Sequence, residues 1–78
     1  MGNGGELDPE EFLRAVGKRI RILRLTLELT QDELAAAAGI SRSFVSLVEH
    51  GAKGIDVVRL MRIAAALGVP LPELVAPP

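Results

Sequence analysis

Apolar positions in this chain recur with the period of an α-helix, and one start signal opens each helical stretch. In that signal an apolar residue precedes a capping residue, and a second apolar residue follows four positions after the cap, so the two clamp the chain's entry into the helix. Leu7, Asp8 and Phe12 form the first set, with Pro9 at the first helical position and Glu11 placed to complete a capping box. The second is Leu29, Thr30 and Leu34, with Glu33 three positions after the cap. Ile40, Ser41 and Val45 make the third, and Ile55, Asp56 and Leu60 the fourth. Gly39, Gly51 and Gly68 each follow an apolar-periodic stretch, where a helix commonly ends on a left-handed residue. The pattern predicts helices over 9–27, 31–38, 42–50 and 57–67, and a short fifth over 71–75 after Pro70. No strand alternation and no internal repeat is present. The Gly-rich 1–7 and the tail 76–78 are expected to be flexible, leaving one all-α domain over 8–75.

Within the first helix, Phe12, Val16, Ile20, Leu23 and Leu27 are spaced by four, four, three and four and predict the buried face. Arg14, Lys18 and Arg21 fall on the opposite side, as a solvated face or as one turned to phosphates. Ile22 and Leu25 also point outward. The second and third helices are separated by a three- to four-residue turn, the spacing of two helices that cross steeply. Such a pair needs a small residue at its closest approach, here Ala35, and one that tolerates positive φ in the turn, here Gly39. Leu34, Ala38, Ile40, Val45 and Val48 then face inward. Arg42, Ser43, Ser46 and Leu47 are left on the outside of the third helix, a rod that suits a major groove about 12 Å wide.

Composition narrows what this frame can do. The chain has 78 residues, 49% hydrophobic but only 3% aromatic, so one small aliphatic core is expected. It has no cysteine and one histidine, which speaks against disulfides, a metal site, a cofactor or an enzyme, and suits the cytoplasm. No apolar run reaches the roughly 18 residues of a membrane helix. Net charge is −1, less basic than most nucleic-acid binders, but it is unevenly distributed. Glu6, Asp8, Glu10 and Glu11 crowd the start of the first helix, where its dipole favours them, and Arg14, Lys18, Arg19, Arg21 and Arg24 follow.

From Ile20 to Leu74 the chain resembles the Cro-like (XRE) helix-turn-helix family of phage repressors and bacterial regulators. The resemblance rests on Ile20-Arg21 with Arg24, Leu29-Thr30-Gln31, Glu33-Leu34-Ala35, Gly39-Ile40-Ser41, Val45-Ser46, Glu49-His50-Gly51, Ile63-Ala64 and Leu67-Gly68-Val69. It implies a five-helix, phage-repressor-like DNA-binding domain whose second and third helices form the helix-turn-helix. The function implied is a homodimeric transcriptional regulator, of the repressor kind, reading double-stranded DNA with the third helix in the major groove. By the same resemblance, Gln31, Ser41 and Lys53 contact phosphates. Arg42, Ser43, Ser46 and Leu47 read bases, Arg42 being the side chain able to hold a guanine bidentately. Arg24 and Glu49 match the family's structural pair between the first helix and the end of the third.

The chain departs from the family pattern in four places. Glu28 stands where glycine is usual, and a left-handed backbone there would be strained by about 1 kcal/mol or more. Ala52 and Ile55 replace a basic residue and a proline, and Leu47 takes a position often held by Arg, Lys or Gln. Phe44 and Leu47 are open to thymine-methyl contact or to a protein partner, and His50 to a helix-end role or a phosphate contact. Leu71, Leu74 and Val75 are expected to close the core or to lie at the dimer interface. The alternative function is a protein-interaction module on the same scaffold, such as an antitoxin or co-regulator, using Phe44, Leu47, Ile22 or Leu25.

Overall fold

The computed structural model describes residues 8–76, among which five helices and no strand occur. In chain order they are α1 (Pro9–Thr26), α2 (Gln31–Ala38), α3 (Arg42–Glu49), α4 (Val57–Leu67) and α5 (Leu71–Val75). Leu7 of the first clamp, the flexible segment expected over 1–7 and residues 77 and 78 of the tail expected over 76–78 lie outside the described residues.

Capping explains where each helix begins. The Thr30 hydroxyl accepts from the Glu33 amide at 3.0 Å while the Glu33 carboxylate accepts from the Thr30 amide at 2.8 Å, a complete capping box. Ser41 and Asp56 cap α3 and α4 by accepting from the amides of Phe44 and Arg59. At α1 only the first half of the expected box is present among the described residues: the Asp8 carboxylate accepts from the Glu11 amide at 3.3 Å. Gly39 closes α2 at φ 68°, a conformation that costs a side-chain-bearing residue about 1–2 kcal/mol.

The core sits among the five helices, with α2 packed on α3 and α4, α1 on α3 and α5, and α5 on α4. Ile20, Leu34, Val45, Val48, Ile63 and Leu74 are fully buried, each side chain worth roughly 1.5–3 kcal/mol of transfer free energy. Leu74 thus closes the monomer core rather than an interface, with Leu71 and Val75 packed around it. The Arg19 guanidinium holds α5 against α1, donating to the carbonyls of Leu74 at 2.9 Å and Ala76 at 2.8 Å.

Two expectations need correction. Leu27, assigned to the buried face of the first helix, is 48% exposed and serves as the C-cap, so α1 stops one residue early. Leu23 and Arg24 of the last turn are still packed, and Leu27 lies past the last helical residue, where the chain has left the core face. Phe44 is not an outward apolar group: it packs partly buried on the core, with the Arg59 guanidinium 4.1 Å over its ring.

The backbone at Glu28 is left-handed, φ 59°, as its departure from glycine anticipated. Glu28 is exposed and no hydrogen bond from its side chain is found among the described residues, so nothing offsets the strain. Glu28→Gly is expected to stabilise the fold by about 0.5–1 kcal/mol: relief of strain outweighs the entropy that glycine adds to the unfolded chain. A raised urea midpoint with unchanged slope would record the gain, and an unchanged or lowered midpoint would mean that Glu28 is unstrained.

Candidate nucleic-acid interface

The cap at Ser41 sets the azimuth of everything on α3. With helical positions 42, 43, 46 and 47 falling within one arc of about 140°, the side chains of Arg42, Ser43, Ser46 and Leu47 share a face, while Val45 and Val48 are buried on the other. The N-terminal residue of α2, Gln31, adjoins that face. Together Gln31, Arg42, Ser43, Ser46 and Leu47 line one open groove of about 370 Å³. Five residues singled out in the sequence for DNA contact are therefore side by side. Leu47 is 56% exposed, an apolar tip among hydroxyls and one guanidinium.

Arg42 lies 3.7 Å from Asp32 of α2, both side chains well exposed. An exposed pair of this kind contributes at most about 1 kcal/mol and leaves the guanidinium available to a stronger acceptor. The Ser41 hydroxyl is committed as acceptor to the cap at 3.0 Å and keeps its proton to donate, but Ser41 does not line the groove. Lys53 is also apart from it, in the loop between α3 and α4, 3.1 Å from Glu10 at the start of α1.

Behind the groove, Arg24 and Glu49 are paired in two parallel bonds: Nε to Oε2 at 2.6 Å and Nη2 to Oε1 at 3.0 Å. Their side chains are only 10% and 3% exposed. Arg24 also donates to the Leu29 carbonyl at 2.8 Å, tying the turn before α2 to the same cation. Burial alone pushes the Glu49 carboxyl up. The bonds from Arg24 and Gln31, with the charges of Arg24 and Arg21, outweigh it and hold the carboxyl below its ordinary value. Arg24 is held above its own ordinary value chiefly by its bond to Glu49.

Sequence reasoning missed the third member of this network. The Gln31 side-chain amide donates to Glu49 Oε1 at 3.1 Å, so the carboxylate that anchors α1 to α3 also orients the first residue of α2. An amide nitrogen has two protons, and one remains for a ligand. A second omission is Gly17. It is buried in the middle of α1, where an added Cβ would overlap the Val48 carbonyl oxygen and lie 2.8 Å from that of Glu49. Arg24, seven residues further along the same side of α1, pairs with Glu49 beside this close approach. Its one sequence signal is a glycine inside a helical pattern.

Residues 20–74 match the helix-turn-helix family. The whole chain is 39% identical, over 83 aligned residues and 78% of the relative's length, to a hypothetical transcription factor of Neisseria meningitidis serogroup B. In structure it is similar to the restriction-modification controller protein C.AhdI from Aeromonas hydrophila, with TM-score 0.76 and 37% identity over 80% of this chain and 94% of that one. The biofilm master regulator SinR, solved in complex with DNA, superposes with TM-score 0.70 and 28% identity over 76% of this chain and 95% of the chain in that structure.

Proposed function

Since the chain belongs to the helix-turn-helix family, we propose that it is a DNA-binding transcriptional regulator, a repressor that binds as a homodimer with α3 of each copy in successive major grooves. The observation that carries this reading is the single groove in which Gln31 and the outward residues of α3 meet. The similarity to SinR, which has been solved on DNA, supports it. In this reading the start of α2, the cap of α3 and the loop after α3 position the protein on the backbone through Gln31, Ser41 and Lys53, respectively. Arg42, Ser43, Ser46 and Leu47 face the base edges. Backbone contacts are the same on every sequence, whereas base contacts are not.

Arg42 leads the reading set because it stands at the N-terminal end of α3 and is the longest donor in the groove. A guanidinium there matches the paired acceptors of guanine. A preferred duplex is first selected from a random library. Arg42→Ala is then expected to cost about 1–3 kcal/mol on that site and far less on a scrambled one. Lys53→Ala should weaken both duplexes alike and lower the log-log salt slope by roughly one unit per chain. Titrations of both variants on both duplexes at several salt concentrations separate the two roles, and two chains per site are expected at saturation. An Arg42→Ala loss equal on both duplexes would make Arg42 a backbone contact. If the wild type bound no duplex at low salt, the exposed Ile22, Leu25 and Leu47 would instead mark a protein-interaction module.

A further inference from the structure

A second groove, of about 280 Å³, opens beside the first and shares Gln31 with it. Its other lining residues are Arg21 and Arg24 from α1, and Glu49 and His50 from the end of α3. Arg24 and Glu49 neutralise one another. Arg21 is exposed, and among the described residues it lies within ion-pair distance of no carboxylate. The groove therefore holds one uncompensated positive charge next to the Gln31 amide.

His50 adds a constraint of its own. Its Nδ1 is 2.7 Å from the Ser46 carbonyl oxygen, which can only accept, so Nδ1 carries a proton. In the neutral ring Nε2 then bears a lone pair and has nothing to donate. Protonation turns the same atom into a charged donor. We propose that this groove holds a DNA phosphate between Arg21 and His50, next to the one at Gln31, and that seating the phosphate takes up a proton on His50.

The inference rests on the DNA-binding reading above and extends the contact surface from α2 and α3 onto α1. Arg21 supplies a fixed charge at any pH. His50 supplies a second one when protonated, and a phosphate at the Nε2 position favours that form because opposite charges attract and a donor meets an acceptor. The charged groups around the ring are Arg21 and Arg24 on α1 and Glu49 on its own helix, with Arg14 of α1 against the adjoining Gly51. Imidazole is the side chain that ordinarily changes charge between pH 5 and 8, and His50 is the single histidine of the chain.

The test uses the full chain and its selected duplex, with binding measured against salt at pH 6 and pH 8 for wild type, Arg21→Gln and His50→Gln. Wild type is expected to bind more tightly at pH 6, with a salt slope steeper by roughly one unit per chain than at pH 8. Arg21→Gln should lose about one unit of slope per chain at pH 8. His50→Gln should keep the wild-type slope at pH 8 and lose the difference between the two pH values. An unchanged slope in Arg21→Gln, or a pH difference that persists in His50→Gln, overturns the proposal while leaving the DNA-binding reading intact. A wild type that binds no duplex at either pH overturns both.

Discussion

Gly17→Ala is expected to destabilise the protein by about 2 kcal/mol, opposite in sign to what helix propensity alone demands. In an unconstrained helix the same substitution gains roughly 1 kcal/mol, because alanine loses less backbone entropy than glycine. Here the added methyl has no room. It meets the carbonyls of Val48 and Glu49, backbone atoms that cannot move aside as a flexible side chain would. Relief requires α1 and α3 to separate, which loosens Val16 and Ile20 against Val45 and Val48 and lengthens the Arg24–Glu49 bonds. Overpacking of this kind typically costs about 1–3 kcal/mol, here near the upper end because backbone atoms are met, and the propensity gain offsets part of it. A domain of this size has a total stability on the order of 4–12 kcal/mol, so the loss is readily seen as a drop in urea midpoint. A rise in midpoint would show that the two helices are not in contact at this point.

Glu49→Ala is expected to cost about 3–5 kcal/mol, the loss typical of breaking a buried ion pair by removing one partner. Arg24 would keep its bond to the Leu29 carbonyl but lose both contacts to the carboxylate, and Gln31 would lose its bond to the same group. The damage therefore reaches the start of α2 as well as the α1–α3 contact. Glu49→Gln, which retains a carbonyl acceptor, should lose less. The pair also sets an acid limb. Because the Glu49 carboxyl is held below its ordinary value in the folded chain, its contribution is present above the unfolded carboxylate value of about 4.3. That contribution is lost as pH falls through the lower folded value. The stability gap between wild type and Glu49→Gln should therefore be constant from pH 7 to about pH 5 and narrow under stronger acid. Urea melts of the two proteins across that range would show it, and a gap independent of pH would mean that charge contributes nothing to the pair.

Both results turn on features of very different visibility in the chain. The Arg24–Glu49 pair was legible through the family register, and the structure places it as that register implies. Gly17 was not, because a glycine within a helical repeat reads only as a weak position until the helix facing it is known. Arg19 and Arg59 were equally silent. Arg19 belongs to a run of basic residues and Arg59 stands alone among apolar ones, and only the packed fold brings the first under the end of α5 and the second over Phe44. The groove between Arg21 and His50 joins residues 29 positions apart.

The sequence by itself determined the number of helices, most of their boundaries and the side of α3 that faces out. Those properties depend on caps, clamps and apolar spacing, which act over about one helical turn and can be read locally. Tertiary structure alone decided how closely α1 approaches α3, that Phe44 turns inward while Leu27 is left exposed, and that Gln31 is oriented by Glu49. Each of these depends on which surface lies opposite a residue. Helical periodicity gives the direction of a side chain but not what, if anything, stands there to meet it.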